Sequence, residues 1–143
     1  MLTSFNVSIL FIIFFITLLM SIISGLVFLN SRIPLLYVRI HIWFIALPPL
    51  VAFIGLIFAH KNMAIGIWYS DVLSWLMSFF VLIIGVIIQR YCVRYLMGDR
   101  SYRKYFTLFT LTTSFAAIAW LTGDLRIMVI SWGLTLACLT ILI

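Results

Sequence analysis

The side chains able to do chemistry in this sequence are few, and most fall in one stretch. RYLMGDRSYRKYF, residues 94–106, carries Arg94, Arg100, Arg103 and Lys104, four of the nine basic residues, with Asp99, one of only three acids. Cationic groups at that density recognise anions, either lipid headgroups or the surface of a partner. Just beyond them Thr107, Thr110 and Ser114 recur at helical spacing on one face. Such a hydroxyl stripe usually packs one helix closely on another; a hydrated face is the alternative. His41 and His60 stand at the two ends of a single apolar run. A haem held between helices would need a second histidine, from another helix and at matching depth, and there is none. Both are read as interfacial residues, together with Trp43, Trp68 and Tyr69. Cys92 and Cys138 lie on separate apolar segments and read as small buried hydrophobes. No nucleophile–base pair, phosphate loop or metal-ligand spacing is visible. The sequence therefore predicts no catalytic site, no cofactor and no metal in this chain.

The solvent around these groups follows from composition. Of 143 residues, 66% are hydrophobic and 8% are charged, against about 25% charged in a soluble domain. Too few polar groups exist to cover a water-facing surface, so the solvent is a lipid bilayer. The net charge of +6 does not indicate nucleic acid, because the basic residues sit in short gaps between apolar runs.

Five apolar runs follow one another, about residues 7–29, 40–59, 71–93, 105–122 and 127–143. A helix needs roughly 20 residues to cross the hydrocarbon core, and spanning strands would alternate instead. The sequence predicts an all-α, polytopic integral membrane bundle of about five transmembrane helices in a single domain. The first run is too long for a signal-peptide core and no basic residue precedes it. The second gap, HKNMAIGIWYS, is long enough for a small non-helical excursion. The gaps flanking the first and third connections hold Arg32, Arg39, Arg90, Arg94, Arg100, Arg103 and Lys104; the opposite side holds Lys61 and Arg126. Seven against two places those connections in the cytoplasm and the N-terminus outside.

Several positions carry a local expectation. Pro48-Pro49 should kink the second helix and turn that part of it toward protein. Ser70-Asp71 should cap the third helix. Gly133 and Ala137 form a small-xxx-small pair, which predicts close packing of the fifth helix. No Asp, Glu, Lys, Arg or His occurs within 72–89, 105–122 or 127–143. The helices are thus expected to supply no titratable group at mid-depth, where an ion path would need one.

SDVLSWLMSFFVLIIGVIIQRYCVRYLMGD, followed by YFTLFTLTTSFAAIAWLTGDLRIMVISWG, resembles the N-terminal part of the antiporter-like membrane subunits. That family includes subunit 5 of respiratory complex I, subunits of multisubunit cation/proton antiporters, and the membrane subunit of Dab-type inorganic-carbon transporters. Asp71, Leu73, Ser74, Tyr91, Tyr95, Leu96, Asp99, Phe106 and Trp132 carry the likeness, over about residues 65–135. The basic form of the 94–106 stretch is most similar to the Dab-type subunits. The resemblance implies cation-coupled uptake of CO2 or bicarbonate across a bacterial inner membrane. It also implies a cytoplasmic partner resembling a zinc carbonic anhydrase. Two other readings stand beside it. One is a proton-translocating, non-catalytic membrane subunit of an NADH-quinone oxidoreductase or of a cation/proton antiporter. The other, of a different class, is a membrane anchor that transports nothing. Complex I subunits place a glutamate after the tryptophan of the fifth helix, whereas this chain has Gly133. Family members also have around fourteen helices, so the chain reads as the N-terminal portion of a longer subunit.

The charge asymmetry gives a direct test of orientation. A reporter active only outside the cell, fused after Lys104, should be silent; strong activity there would invert the assignment.

Overall fold

A computed structural model describes residues 2–30, 34–58, 63–96 and 102–143. Arg32, His60, Lys61, Asp99 and Arg100 lie outside the described residues. The elements are α1 (Leu2–Asn30), α2 (Pro34–Phe58), β1 (Met63–Ile65), β2 (Trp68–Ser70), α3 (Val72–Tyr95), α4 (Tyr102–Leu121) and α5 (Leu125–Leu142). α1 packs on α2, α2 on α3, α3 on α4 and α4 back on α1, which closes a four-helix ring; α5 packs on α4. The expected fold, an all-α bundle of a polytopic membrane protein, is what forms.

The outward faces are hydrocarbon. Ile12, Ile16 and Leu19 of α1, Leu50 and Ile57 of α2, Ile87 of α3, and Val129 and Ile130 of α5 are all exposed. α1, α2, α3 and α5 each contain a stretch long and apolar enough to cross a bilayer. α4, a helix of 20 residues over the expected fourth run, is less apolar than the other four. Its position explains this. Flanked by α1, α3 and α5, it faces little lipid, and its hydroxyls stay inside the protein. Thr107, Thr110, Thr112 and Thr113 each donate to the carbonyl one turn back, at 2.8–3.2 Å, so none needs water.

Two of the three acids serve helix starts. Asp71 takes an extended backbone and accepts the Val72 N–H at 2.7 Å at the head of α3. Asp124 accepts the Arg126 N–H at 2.9 Å at the head of α5. Between α2 and α3 the chain makes a small antiparallel hairpin, with Ile65 opposite Trp68 and Gly66-Ile67 as its turn. Gly66 has φ 62°, and among the described residues no other residue type has a positive φ. That places glycine first and a negative φ second, as a type II′ turn requires. The Gly123 N–H donates to the Ile67 carbonyl at 2.8 Å, which ties this hairpin to the α4–α5 turn.

Pro48 and Pro49 lie inside α2 and are both buried, so that part of the helix faces protein as expected. The small pair behaves otherwise. Gly133 and Ala137 are exposed, and a side chain at Gly133 would meet nothing within 4 Å. α5 packs instead through Ser131, Thr135 and Cys138. Within this chain Gly133 packs on nothing: the face of α5 that meets α4 is set by partner geometry as well as by residue size.

The glycine that does matter for packing is Gly55. A Cβ there would lie 2.5 Å from Cε3 of Trp75. That ring has no room to move: its Nε1–H donates to Ser70 Oγ at 2.9 Å, and Phe11 and Phe14 pack on it with centroids 5.2 and 5.5 Å away. Gly55→Ala should therefore destabilise the chain by about 1–3 kcal/mol through overpacking. Gly133→Ala should be neutral or slightly stabilising, because it meets open space and relieves a glycine in a helix. Thermal midpoints of the two variants in detergent test the contrast.

Candidate functional site

The bundle core has two apolar clusters with a polar layer between them. Phe11, Phe14, Leu18, Trp75, Leu82 and Leu121 form the larger cluster, toward the hairpin. Phe28, Val38, Tyr102 and Phe106 form the smaller, toward the basic end. The layer joins all four helices of the ring. His41 of α2 is 2% exposed. Its Nδ1 lies 2.7 Å from Ser24 Oγ of α1, and its Nε2 lies 3.1 Å from Thr110 Oγ1 of α4. Gln89 of α3 donates from Nε2 to the same Thr110 oxygen at 3.0 Å. Thr107 Oγ1 donates to the Gly25 carbonyl at 2.8 Å and pins α4 to α1 beside the ring. Phe28 stacks on the imidazole, with centroids 6.0 Å apart and planes 9° from parallel.

This sharpens one expectation from the sequence. His41 stands at the basic end of its span, two residues from Arg39, but its ring is buried inside the bundle between α1 and α4. The helix also begins before the apolar run does. α2 begins at Pro34, six residues earlier than expected, and proline suits the first turn of a helix. His41 is thus the eighth residue of α2, about 10 Å along its axis. It falls within the stretch Tyr37–Phe58 that is apolar enough to cross a bilayer. A signal was present: Ser24, His41, Gln89 and Thr110 are polar residues set in otherwise apolar runs. In lipid such residues find one another.

Counting hydrogens shows what the layer can do. Ser24 and Thr110 also face the carbonyls of Ser21 at 2.7 Å and Phe106 at 2.8 Å. Each hydroxyl has one proton and can give it to its carbonyl or to the imidazole. If Thr110 donates to Phe106, His41 donates from Nε2, and Ser24 donates to Nδ1. If Thr110 donates to Nε2, the ring donates from Nδ1 to Ser24, and Ser24 turns to Ser21. An imidazolium would donate from both nitrogens while both hydroxyls turn to their carbonyls. The two neutral states differ by rotation of two hydroxyls and a shift of the ring proton, the imidazolium holds one proton more, and in each the imidazole and both hydroxyls are hydrogen-bonded. Gln89 Oε1 remains as a buried acceptor with no partner among the described residues.

The candidate residues named from the sequence fall in three places. Thr107, Thr110 and Ser114 are buried, and the first two belong to the layer. Arg94 is exposed in the last turn of α3, Lys104 is exposed near the head of α4, and Arg103 beside it is half-buried. Asp71 caps α3, and Ser74 is half-buried one turn on. Trp132 is partly exposed on α5 and meets Trp120 edge-on at 6.4 Å. The structure brings Thr107 and Thr110 to His41 and keeps Asp71 and Trp132 apart from it.

Helices of this length, closed around a polar layer with hydrocarbon outside, define a polytopic membrane protein. Residues 58–106 match the family described as NADH-ubiquinone oxidoreductase (complex I), chain 5 N-terminus. Over all 143 residues the chain is 58% identical to the probable inorganic carbon transporter subunit DabB of Bacillus subtilis (strain 168). It is 54% identical over the same length to the protein of that name from Bacillus anthracis. It spans 28% of the length of each of these relatives. No solved structure matches the chain. The resemblance read from Asp71 through Trp132 is met on both counts: residues 58–106 match the complex I chain 5 N-terminus, and the whole chain is similar to DabB subunits.

Thr110 Oγ1 is the atom on which two buried side chains converge, Gln89 as a donor and His41 as donor or acceptor. Thr110→Val keeps the shape and removes the oxygen, leaving Gln89 Nε2 and His41 without it. A buried donor so stranded costs about 1–3 kcal/mol. Thr112→Val, where the hydroxyl serves only its own helix through Leu108, should cost clearly less. Unfolding midpoints of the two variants in detergent check this.

Proposed function

We propose that the chain is part of the membrane subunit of a cation-coupled inorganic-carbon transporter in a bacterial inner membrane, with its N-terminus outside. The observation that carries this is the 58% identity along the entire chain to a protein named as a probable inorganic carbon transporter subunit. In this reading the uptake of CO2 or bicarbonate is completed by a cytoplasmic subunit resembling a zinc carbonic anhydrase. The basic connection, with Arg94, Arg100, Arg103 and Lys104, is the part that meets this partner. A second reading, a proton-translocating membrane subunit of complex I or of a cation/proton antiporter, is favoured by the match over residues 58–106. Against it stands Gly133, where complex I subunits of this type have a glutamate.

The whole-protein test is growth in air of a bacterium that lacks carbonic anhydrase and needs added CO2. The full-length subunit with its cytoplasmic partner should restore growth, and neither should do so alone. Rescue by the membrane subunit alone would remove the partner from the proposal. Failure of the pair, with quinone-linked NADH oxidation in membranes instead, would favour the second reading. For the contact itself, Arg100→Gln, Arg103→Gln and Lys104→Gln together should preserve insertion and weaken co-purification of the partner. Unchanged co-purification would leave those residues with lipid and topology roles.

A further inference from the structure

On the outside of the bundle, at the end of α2 and α3 away from the hairpin, a groove of about 560 Å³ runs between the two helices. Its mouth carries Arg39, Arg90 and Arg94; Trp43, Ala46 and Val86 line it farther in. All three arginines are exposed, and Trp43 is 77% exposed. From Arg39 to Ala46, and from Arg94 to Val86, is about 10–12 Å along the helix axes. The groove is therefore amphipathic along its length, with three cations at one end and hydrocarbon below.

Three guanidinium groups gathered at one mouth repel one another, so something must offset them. The helix dipole serves for Arg90 and Arg94, which sit in the last two turns of α3. It does not serve for Arg39, which lies near the N-terminal end of α2, where the dipole is positive. Among the described residues no carboxylate serves either. Asp71 and Asp124 are the acids among the described residues, and both cap helices at the hairpin end. The positive-inside preference explains why basic residues lie at this end, but not why three of them share one groove with an exposed tryptophan.

We propose that this groove binds an anionic glycerophospholipid, with its phosphate held between Arg39, Arg90 and Arg94 and an acyl chain laid along Trp43 toward Ala46 and Val86. Guanidinium is the side chain suited to this task, because its planar fork gives two parallel N–H bonds to a phosphate. The apolar lower part selects an amphiphile over a free anion, which would leave that surface unused. A protein helix in the groove would have to bring its own acids, since burying unpaired cations is costly. α5 packs on α4, which does not line the groove. The proposal rests on the chain being embedded in a bilayer and is independent of what it transports.

The test uses the full-length subunit in its complex, delipidated in mild detergent and titrated with defined lipids under native mass spectrometry. Phosphatidylglycerol should bind at one saturable site and phosphatidylcholine should not compete for it. Each guanidinium removed should weaken binding roughly tenfold, the loss of one charge-assisted hydrogen-bonded contact. Arg39→Gln alone should show this while leaving the other six basic residues that orient the chain. Arg39→Lys should fall between, keeping the charge and losing the fork. Arg103→Gln with Lys104→Gln should leave the site unchanged. Equal binding of phosphatidylcholine, or unchanged binding in Arg39→Gln, would overturn the proposal. Displacement by millimolar inorganic phosphate would also overturn it, and would point to a small-anion site. If removing Arg39, Arg90 and Arg94 together prevents insertion, Arg39→Gln alone decides.

Discussion

Hydrocarbon offers no partner to a polar group, so every polar atom in the spans must be bonded within the protein. Much of this bundle follows from that requirement. The helix richest in hydroxyls, α4, is the one enclosed by neighbours on three sides. Its threonines bond back to their own helix and still reach across to α1 and α2. Ser24 of α1, His41 of α2 and Gln89 of α3 meet it at one level, while Ser78 of α3 reaches the Ala117 carbonyl farther along.

The layer is also what keys the helices to one another. Lipid removes the hydrophobic drive for helices to associate, which leaves packing and interhelical hydrogen bonds. The two apolar clusters can slide a little without losing contact; the His41 bonds to Ser24 and Thr110 cannot. Close approach is needed at the same points. A Cβ at Gly25 would come within 3.3 Å of His41 Cε1, and one at Gly85 within 2.8 Å of Thr113 Cγ2. Glycine there lets α1 approach α2 at the layer, and α3 approach α4 just beyond it. At the hairpin end, Gly55 does the same for α2 and Trp75.

The helices were legible in the sequence because apolar length is a one-dimensional property. The Asp71 cap was legible because its partner is the next residue. The layer was not, because it joins Ser24, His41, Gln89 and Thr110 from four runs, and no spacing in sequence encodes that meeting. The start of α2 was missed for a local reason: an apolar run marks where a helix enters hydrocarbon, not where the helix begins. Gly133-Ala137 shows the converse. Small residues permit close packing, but α5 meets α4 through the face that carries Ser131, Thr135 and Cys138.

The layer and the family segment are largely different parts of the chain. The match to complex I chain 5 runs over residues 58–106. It takes in the hairpin, the Asp71 cap, α3 and the basic connection. Of the four side chains bonded around the imidazole, only Gln89 falls inside it; Ser24 and His41 precede it and Thr110 follows. A role carried over from complex I must therefore reside in α3 and its flanks. The likeness to inorganic-carbon transporter subunits extends over the whole chain, and so includes all four. Either neutral tautomer of His41 keeps both hydroxyl partners bonded, so the layer needs no charge to hold the helices in register. It is a structural key that lies mostly in a part of the chain to which the complex I likeness assigns nothing.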